Sequence, residues 1–227
     1  MERCVRRVVG AGQRSWRAAA LCAVGVACLL VPGVVRAQAG GFEAEARAGV
    51  ALSTPLVEGA VLVPVEGGVR AFRVTPVAAP VVVIAGRTGL GPDLALEVSA
   101  GWTFGRVEGR QGGETWRLGD LGVGHAVASL RRRVLERLHV RGGLGLIRYG
   151  GDGALLEGSG TRPLVEVGAG TELELGGARV SLSGVGQAHS FGSAALRAGG
   201  GSGVRGLDGT VYRFALQAGI VLGGGLP

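Results

Sequence analysis

The sequence contains no lysine and no asparagine, and its three cysteines (Cys4, Cys22 and Cys28) all lie within the first 28 residues. Without lysine the chain can form neither a P-loop nor a Schiff base, and without asparagine it has no N-glycosylation acceptor. Beyond residue 28 it can form no disulfide, no thiol nucleophile and no cysteine-ligated metal site. These absences exclude several large classes of enzyme.

Positive charge is concentrated at the N-terminus. The formal net charge is +7, but residues 1–39 carry six arginines against the single acid Glu2, while the remainder balances 18 arginines against 16 acids. A nearly neutral remainder lacks the basic stripe that neutralisation of nucleic-acid phosphates requires. We therefore predict no nucleic-acid partner.

Residues 1–39 have the three-part order of a secretory signal peptide. An arginine-rich segment over residues 1–17 precedes an apolar run of 15 residues, 18–32, and small residues then place the cleavage after Ala37 or Ala39. The run is shorter than the roughly 20 residues that a membrane-spanning helix needs, which disfavours an uncleaved anchor. We predict a cleaved signal peptide over residues 1–39 and a mature domain over residues 40–227.

Beyond residue 40 no apolar run is long enough for a transmembrane helix, and apolar residues recur instead at every second position. Such alternation collects charges on one face of a strand, whereas a helix would scatter them. In the fourth segment Asp120 falls on the apolar face, and a β-bulge near Gly119 would restore the alternation. The alternation predicts eight strands, over residues 41–52, 81–89, 94–105, 115–130, 137–149, 163–175, 179–191 and 210–222.

The connections between these strands alternate between long and short. Their lengths are 28, 4, 9, 6, 13, 3 and 18 residues, the short ones being 90–93, 131–136 and 176–178. Outer-membrane barrels have short periplasmic turns and longer external loops, so this pattern places both termini in the periplasm. The arginine run 131–133 then falls in a periplasmic turn, where it either faces solvent, the favoured interpretation, or binds anionic lipid headgroups.

Aromatic residues collect near one end of the predicted strands. Of the nine aromatic residues beyond residue 40, seven lie at strand ends assigned to the outer side, which indicates a one-sided aromatic girdle at a membrane interface. The alternative is that aromatic residues simply flank turns. The seven are Trp102, Phe104, Trp116, Tyr149, Phe191, Tyr212 and Phe214.

Ten charged residues fall on the inward face of the predicted strands. An eight-stranded barrel has an interior just wide enough for its own side chains, so we expect these charges to pair as a structural network. A narrow water or ion path stays open as an alternative, because inward glycines occupy no side-chain volume, and a carboxylate-rich active site is disfavoured. The ten are Glu43, Glu45, Arg47, Glu97, Arg141, Glu166, Glu172, Glu174, Arg179 and Arg213.

The three histidines, His125, His139 and His189, lie on separate predicted strands without the short-range spacing of metal ligands. His189 and Ser190 are similar to the histidine and serine of lipid A deacylases, but adjacent residues of a strand point to opposite faces. We therefore predict no catalytic residue, no metal site and no cofactor.

The signal peptide, the alternating strands and the asymmetric loops resemble the small eight-stranded outer-membrane β-barrel family, which includes the transmembrane domain of outer membrane protein A. The resemblance covers nearly all of residues 41–222. It implies an all-β, antiparallel up-and-down transmembrane β-barrel in the outer membrane of a diderm bacterium. The implied partners are outer-membrane lipids and the barrel-assembly machinery, and the implied state is a monomer.

We expect a non-enzymatic role in envelope structure or surface display. The alternatives are a narrow pore or carrier for small or apolar solutes, a lipid-modifying barrel enzyme, and a soluble periplasmic ligand-binding barrel.

Overall fold

The computed structural model describes residues 41–63, 68–151, 159–192 and 210–222, so the predicted signal peptide lies outside the described residues. Within the described residues no helix is long and apolar enough to cross a membrane. These residues form ten strands: β1 (Phe42–Ser53), β2 (Val57–Val63), β3 (Gly68–Pro76), β4 (Ala79–Gly89), β5 (Leu94–Gln111), β6 (Glu114–Arg133), β7 (Leu138–Gly151), β8 (Thr161–Leu175), β9 (Ala178–Ser190) and β10 (Thr210–Leu222).

Eight of the described strands close into an antiparallel ring in the order β1, β4, β5, β6, β7, β8, β9 and β10. The pairing of β1 with both β4 and β10 closes the ring. Closure satisfies the hydrogen bonds that an open sheet would leave unpaired at its edges, which is the condition for a sheet to cross a membrane. The predicted eight-stranded up-and-down barrel is confirmed.

The first long connection contains a hairpin that the alternation did not predict. β2 and β3 lie within residues 53–80, which were expected to form a loop, and Phe72–Pro76 of β3 pairs with Val107–Gln111 of β5. β5 and β6 also run beyond their predicted ends and meet at the two-residue turn Gly112–Gly113. Together β2, β3 and the far halves of β5 and β6 form a four-stranded sheet beyond the barrel, called here the outer sheet.

The bulge predicted near Gly119 is present. The register of β5 against β6 shifts between Val107, which pairs with Gly119, and Glu108, which pairs with Arg117. Beyond the shift, Leu121 and Val123 point into the barrel and are buried. The interior of this barrel therefore contains apolar side chains as well as charged ones.

The short turns lie together at one end of the ring, called here the short-turn end. They comprise residues 90–93, 134–137 and 176–177, and the start of β1 at Phe42 and the end of β10 at Leu222 lie at the same end. The prediction that Arg131–Arg133 lies in a turn is wrong, because β6 continues to Arg133. Alternation along β6 then sends Arg131 inward, where it finds carboxylate partners.

The outward residues of the eight ring strands form a surface called here the outer wall. Along β6 this wall is bounded by Asp120 and Arg132, twelve residues apart, and the outward residues of β6 between them are uncharged. At about 3.4 Å per residue and a tilt of about 40°, the interval spans about 30 Å. That height matches the hydrocarbon core of a bilayer.

Candidate functional site

The half of the lumen nearest the short turns is filled by buried ion pairs. At its centre, Glu97 is 0% exposed and its Oε1 accepts hydrogen bonds from Arg47 Nη2 and Arg141 Nη1, each at 2.8 Å. Arg47 Nη2 also donates to Glu45 Oε2 at 2.7 Å. Each buried charge in this group thus has an opposite charge in contact, as burial requires.

A second group of ion pairs surrounds Glu172, closer to the short-turn end. Glu172 accepts hydrogen bonds from Arg87 Nη1 and Arg179 Nη2, both at 2.6 Å, and from Arg131. Arg87 and Arg179 also donate to Glu43. The two groups form one ion-pair layer, which consists of Glu43, Glu45, Arg47, Arg87, Glu97, Arg131, Arg141, Glu166, Glu172 and Arg179.

Towards the middle of the barrel, hydrogen bonds to uncharged polar side chains replace the ion pairs. Glu166 Oε2 accepts a hydrogen bond from Gln187 Nε2 at 2.8 Å, and Gln187 Oε1 accepts one from Arg213 Nη1 at 3.0 Å. Arg213 also donates to Thr103. Arg213 is buried and, within the part of the chain that the structure describes, its hydrogen-bond partners Gln187 and Thr103 are neutral.

The outer half of the lumen is filled by a buried apolar cluster, called here the apolar plug. Tyr149 anchors it by an edge-on contact with Phe191, with ring centroids 5.1 Å apart, and by a 2.9 Å hydrogen bond between its hydroxyl and His189 Nε2. β2 and β3 both contribute members, so the outer sheet covers this half of the lumen. The members are Leu56, Val57, Val74, Val107, Leu121, Val123, Val127, Ile147, Tyr149, Leu164, Phe191 and Val211.

A cavity of about 700 Å³ opens at the short-turn end. Its floor includes Glu43, Arg87, Glu172 and Arg179 of the ion-pair layer, and the turns form its rim. Arg179 and Glu172 remain partly exposed, whereas Glu97 behind them is not. Solvent therefore enters from this end as far as the ion-pair layer.

Nine of the ten charged residues expected in the lumen lie there, and one does not. Glu174 is exposed near the end of β8, because the strand runs past the end of its pairing with β7 at Thr171 and carries the side chain out of the packed interior. Arg87 and Arg131 also lie in the lumen and were not predicted to do so. Arg87 shares the inward face of β4 with the buried residues Val81 and Val83, so alternation could have found it.

The expected aromatic girdle separates into three groups. Trp102, Phe104, Tyr212 and Phe214 lie on the outer wall near its outer end, and Trp116 belongs to the outer sheet. Tyr149 and Phe191 are buried in the apolar plug, so their assignment to the girdle is wrong. Tyr149 shares the inward face of β7 with Ile147, and Phe191 follows directly after β9.

The histidines do not converge. All three are buried on separate strands, and no group of three or more potential metal ligands occurs among the described residues. His189 faces inward to Tyr149 while Ser190 is exposed, so these two side chains point to opposite faces. This arrangement does not support a histidine–serine catalytic pair.

The chain matches no protein-family model and none of the curated proteins. Among solved structures it is similar to outer membrane protein AlkL, determined in lipid bilayers, with a TM-score of 0.53 and 16% identity over 84% of this chain and 93% of AlkL. Neisserial surface protein A gives a TM-score of 0.49 and 15% identity over 82% of this chain and 99% of its own.

The attachment invasion locus protein Ail of Yersinia pestis, in complex with a heparin analogue, gives a TM-score of 0.42 and 14% identity over 82% of this chain and 100% of its own. Of these three structures AlkL has a TM-score above 0.5, and at 16% identity it shows a shared fold and nothing more. The chain has the fold of the small eight-stranded outer-membrane β-barrels.

Proposed function

We propose that this protein is a closed outer-membrane barrel that contributes to envelope structure and displays its outer sheet at the cell surface. The observation that carries the proposal is the double filling of the lumen, by the ion-pair layer in one half and by the apolar plug in the other. The protein lies in the outer membrane, with the short turns in the periplasm and the outer sheet outside.

The outer wall supports the membrane location. It carries the two most exposed large apolar side chains of the described chain, Leu144 at 71% and Leu216 at 75% exposure. The charged side chains of the ion-pair layer lie inside the ring instead. A soluble barrel would place the charged side chains outside and the large apolar ones inside, since water favours charge at the surface and apolar groups in the core.

The packing of the lumen argues against a pore. An ion crossing the barrel would have to separate the carboxylate of Glu97 from two guanidinium groups, at a cost of several kcal/mol in a desolvated site. It would then meet the apolar plug, where Ile147 is 0% exposed and Leu164 is 1% exposed. A narrow pore is the second candidate, favoured only by the open cavity at the short-turn end.

The outer sheet supports a role at the surface. Exposed ion pairs join Arg73 to Glu58 and Arg117 to Asp120, as expected for a sheet that stands in water. Its opposite face contributes Val57 and Val74 to the apolar plug. The sheet is therefore fixed to the barrel by its buried face, which leaves the polar face available for contact outside the cell.

Two matched glycine turns allow a direct test of location and orientation. Gly112–Gly113 and Gly176–Gly177 have nearly equal backbone conformations, with φ of 59° and 90° in the first and 58° and 85° in the second. We expect an epitope inserted at the first turn to bind antibody on intact cells. The same epitope at the second turn should bind only after the outer membrane is permeabilised.

Equal labelling of both insertions on intact cells would contradict the orientation, and recovery of the protein in the soluble periplasmic fraction would contradict the membrane location. Planar bilayer recordings test the closed lumen separately, because two filled layers predict no conductance steps from the purified, folded protein. Stable steps would favour the pore.

A further inference from the structure

One charged residue stands apart on the outer wall. Within the described ring strands, Arg132 is the only charged residue that this wall presents at the short-turn end. Its cross-strand neighbours are Leu94 on β5 and Val140 on β7, and Leu130 lies two residues earlier on the same face. These three aliphatic side chains are 38%, 42% and 52% exposed, so the guanidinium group stands in an open apolar surround.

The two flanking arginines do not share this position. Arg131 points inward and pairs with Glu172, and Arg133 lines the cavity at the short-turn end. Arg132 itself forms no ion pair with the described residues. This includes Asp93 and Glu136, the acids on the two adjoining turns. Its hydrogen-bond donors therefore face outward without a carboxylate to receive them.

Arg132 lies at the level where the proposed membrane would end. It marks the short-turn edge of an apolar wall about 30 Å high, and at that edge a bilayer changes from hydrocarbon to phosphate. Arginine at such a boundary buries its methylene stem against apolar surface and places its guanidinium group among headgroups. Val134 and Leu135, in the turn just past this boundary, are also exposed.

We propose that Arg132 binds the phosphate of a phospholipid in the periplasmic leaflet, whose acyl chains lie against Leu94, Leu130 and Val140. The inference rests on the proposed function, since it requires the barrel to span a membrane. The planar guanidinium fork matches two phosphate oxygens at once, which a lysine in the same place would not do. The site thus requires a phosphate and acyl chains in one molecule.

Native mass spectrometry of the folded protein in uncharged detergent tests this site. Three probes separate the contribution of the phosphate from that of the acyl chains. They are phosphatidylglycerol, an uncharged galactosyl diacylglycerol with the same acyl chains, and glycerol phosphate, which has no chains. We expect phosphatidylglycerol to bind more tightly than the galactolipid and to resist displacement by glycerol phosphate. Arg132→Gln should weaken phosphatidylglycerol binding about five-fold, as expected for one basic residue near a lipid surface, and leave galactolipid binding unchanged.

Arg133→Gln is the matched control, because it removes the same charge one residue away on the opposite face and should bind phosphatidylglycerol as the unmodified protein does. Arg132→Lys should bind with intermediate affinity. An equal loss in Arg132→Gln and Arg133→Gln, or no preference for phosphatidylglycerol in the unmodified protein, would overturn the site. Displacement by glycerol phosphate would also overturn it, in favour of a soluble phosphate.

A different measurement on the same samples tests the proposed function. A closed barrel migrates differently on a denaturing gel before and after heating, because its fully paired strands resist detergent. If the unmodified protein lacked this shift, the membrane barrel itself would be overturned. A protein that shows the shift but has no phosphate preference would lose the lipid site alone.

Discussion

Replacing Leu216 by arginine tests whether the outer wall faces lipid. Leu216 is 75% exposed and lies on β10, six residues from Leu222 at the short-turn end. Six residues along a strand tilted by about 40° correspond to about 16 Å, close to half the height of the wall, so position 216 lies near the bilayer midplane. Arginine there should lower the free energy of unfolding by about 2–4 kcal/mol.

The matched substitution Leu222→Arg lies near the membrane edge and should cost only about 0–1 kcal/mol. Equilibrium denaturant titration of the protein in lipid vesicles, followed by tryptophan fluorescence, measures both values. On a soluble protein an exposed leucine can be replaced by arginine with a change of about 0.5 kcal/mol or less at either position. Two small and equal changes would therefore refute the assignment of this wall to lipid.

Three further substitutions probe the lumen by the same titration. Glu97→Ala removes the carboxylate that contacts Arg47 and Arg141, and should destabilise the barrel by about 3–5 kcal/mol because two buried guanidinium groups lose a partner. Glu174→Ala, at an exposed position, should change stability by no more than about 0.5 kcal/mol, and an equal loss in the two variants would contradict the description of the ion-pair layer. Ile147→Ala should cost about 2–5 kcal/mol through the cavity it leaves in the apolar plug, and a much smaller loss would indicate that this half of the lumen is hydrated.

The eight ring strands could be predicted because each has two faces in different environments. Glu43, Glu45 and Arg47 alternate with alanines along β1, and the structure places these charges inside and the alanines outside. The same periodicity of the sequence predicted most members of the ion-pair layer. It could not show which charges meet across the lumen, because pairs such as Arg47 and Glu97 depend on curvature and strand tilt.

The missed features share a physical reason. The prediction assumed that apolar residues face outward and polar residues inward. Leu121 and Val123 fell on the inward face and therefore seemed misplaced, whereas they belong to the apolar plug inside the barrel. β2 and β3 were missed because they stand beyond the membrane level and face the plug on one side. The alternation between lipid-facing and lumen-facing residues therefore does not apply to them. Arg131 was missed because the end of β6 was placed too early.

The contacts of Glu43 and Glu45 have a consequence for how the barrel is assembled. Glu43 receives a hydrogen bond from Arg179 and Glu45 from Ser181, and each bond joins residues 136 positions apart in the chain. An unclosed sheet inside a bilayer would present β1 carboxylates to hydrocarbon while two of their hydrogen-bond donors, Arg179 and Ser181 on β9, were still outside, which is unfavourable. We therefore expect insertion and closure to occur together, with the charged face held in water until β9 and β10 pair. A chain shortened to end before β9 is expected to stay outside the membrane even though it retains most of the apolar wall.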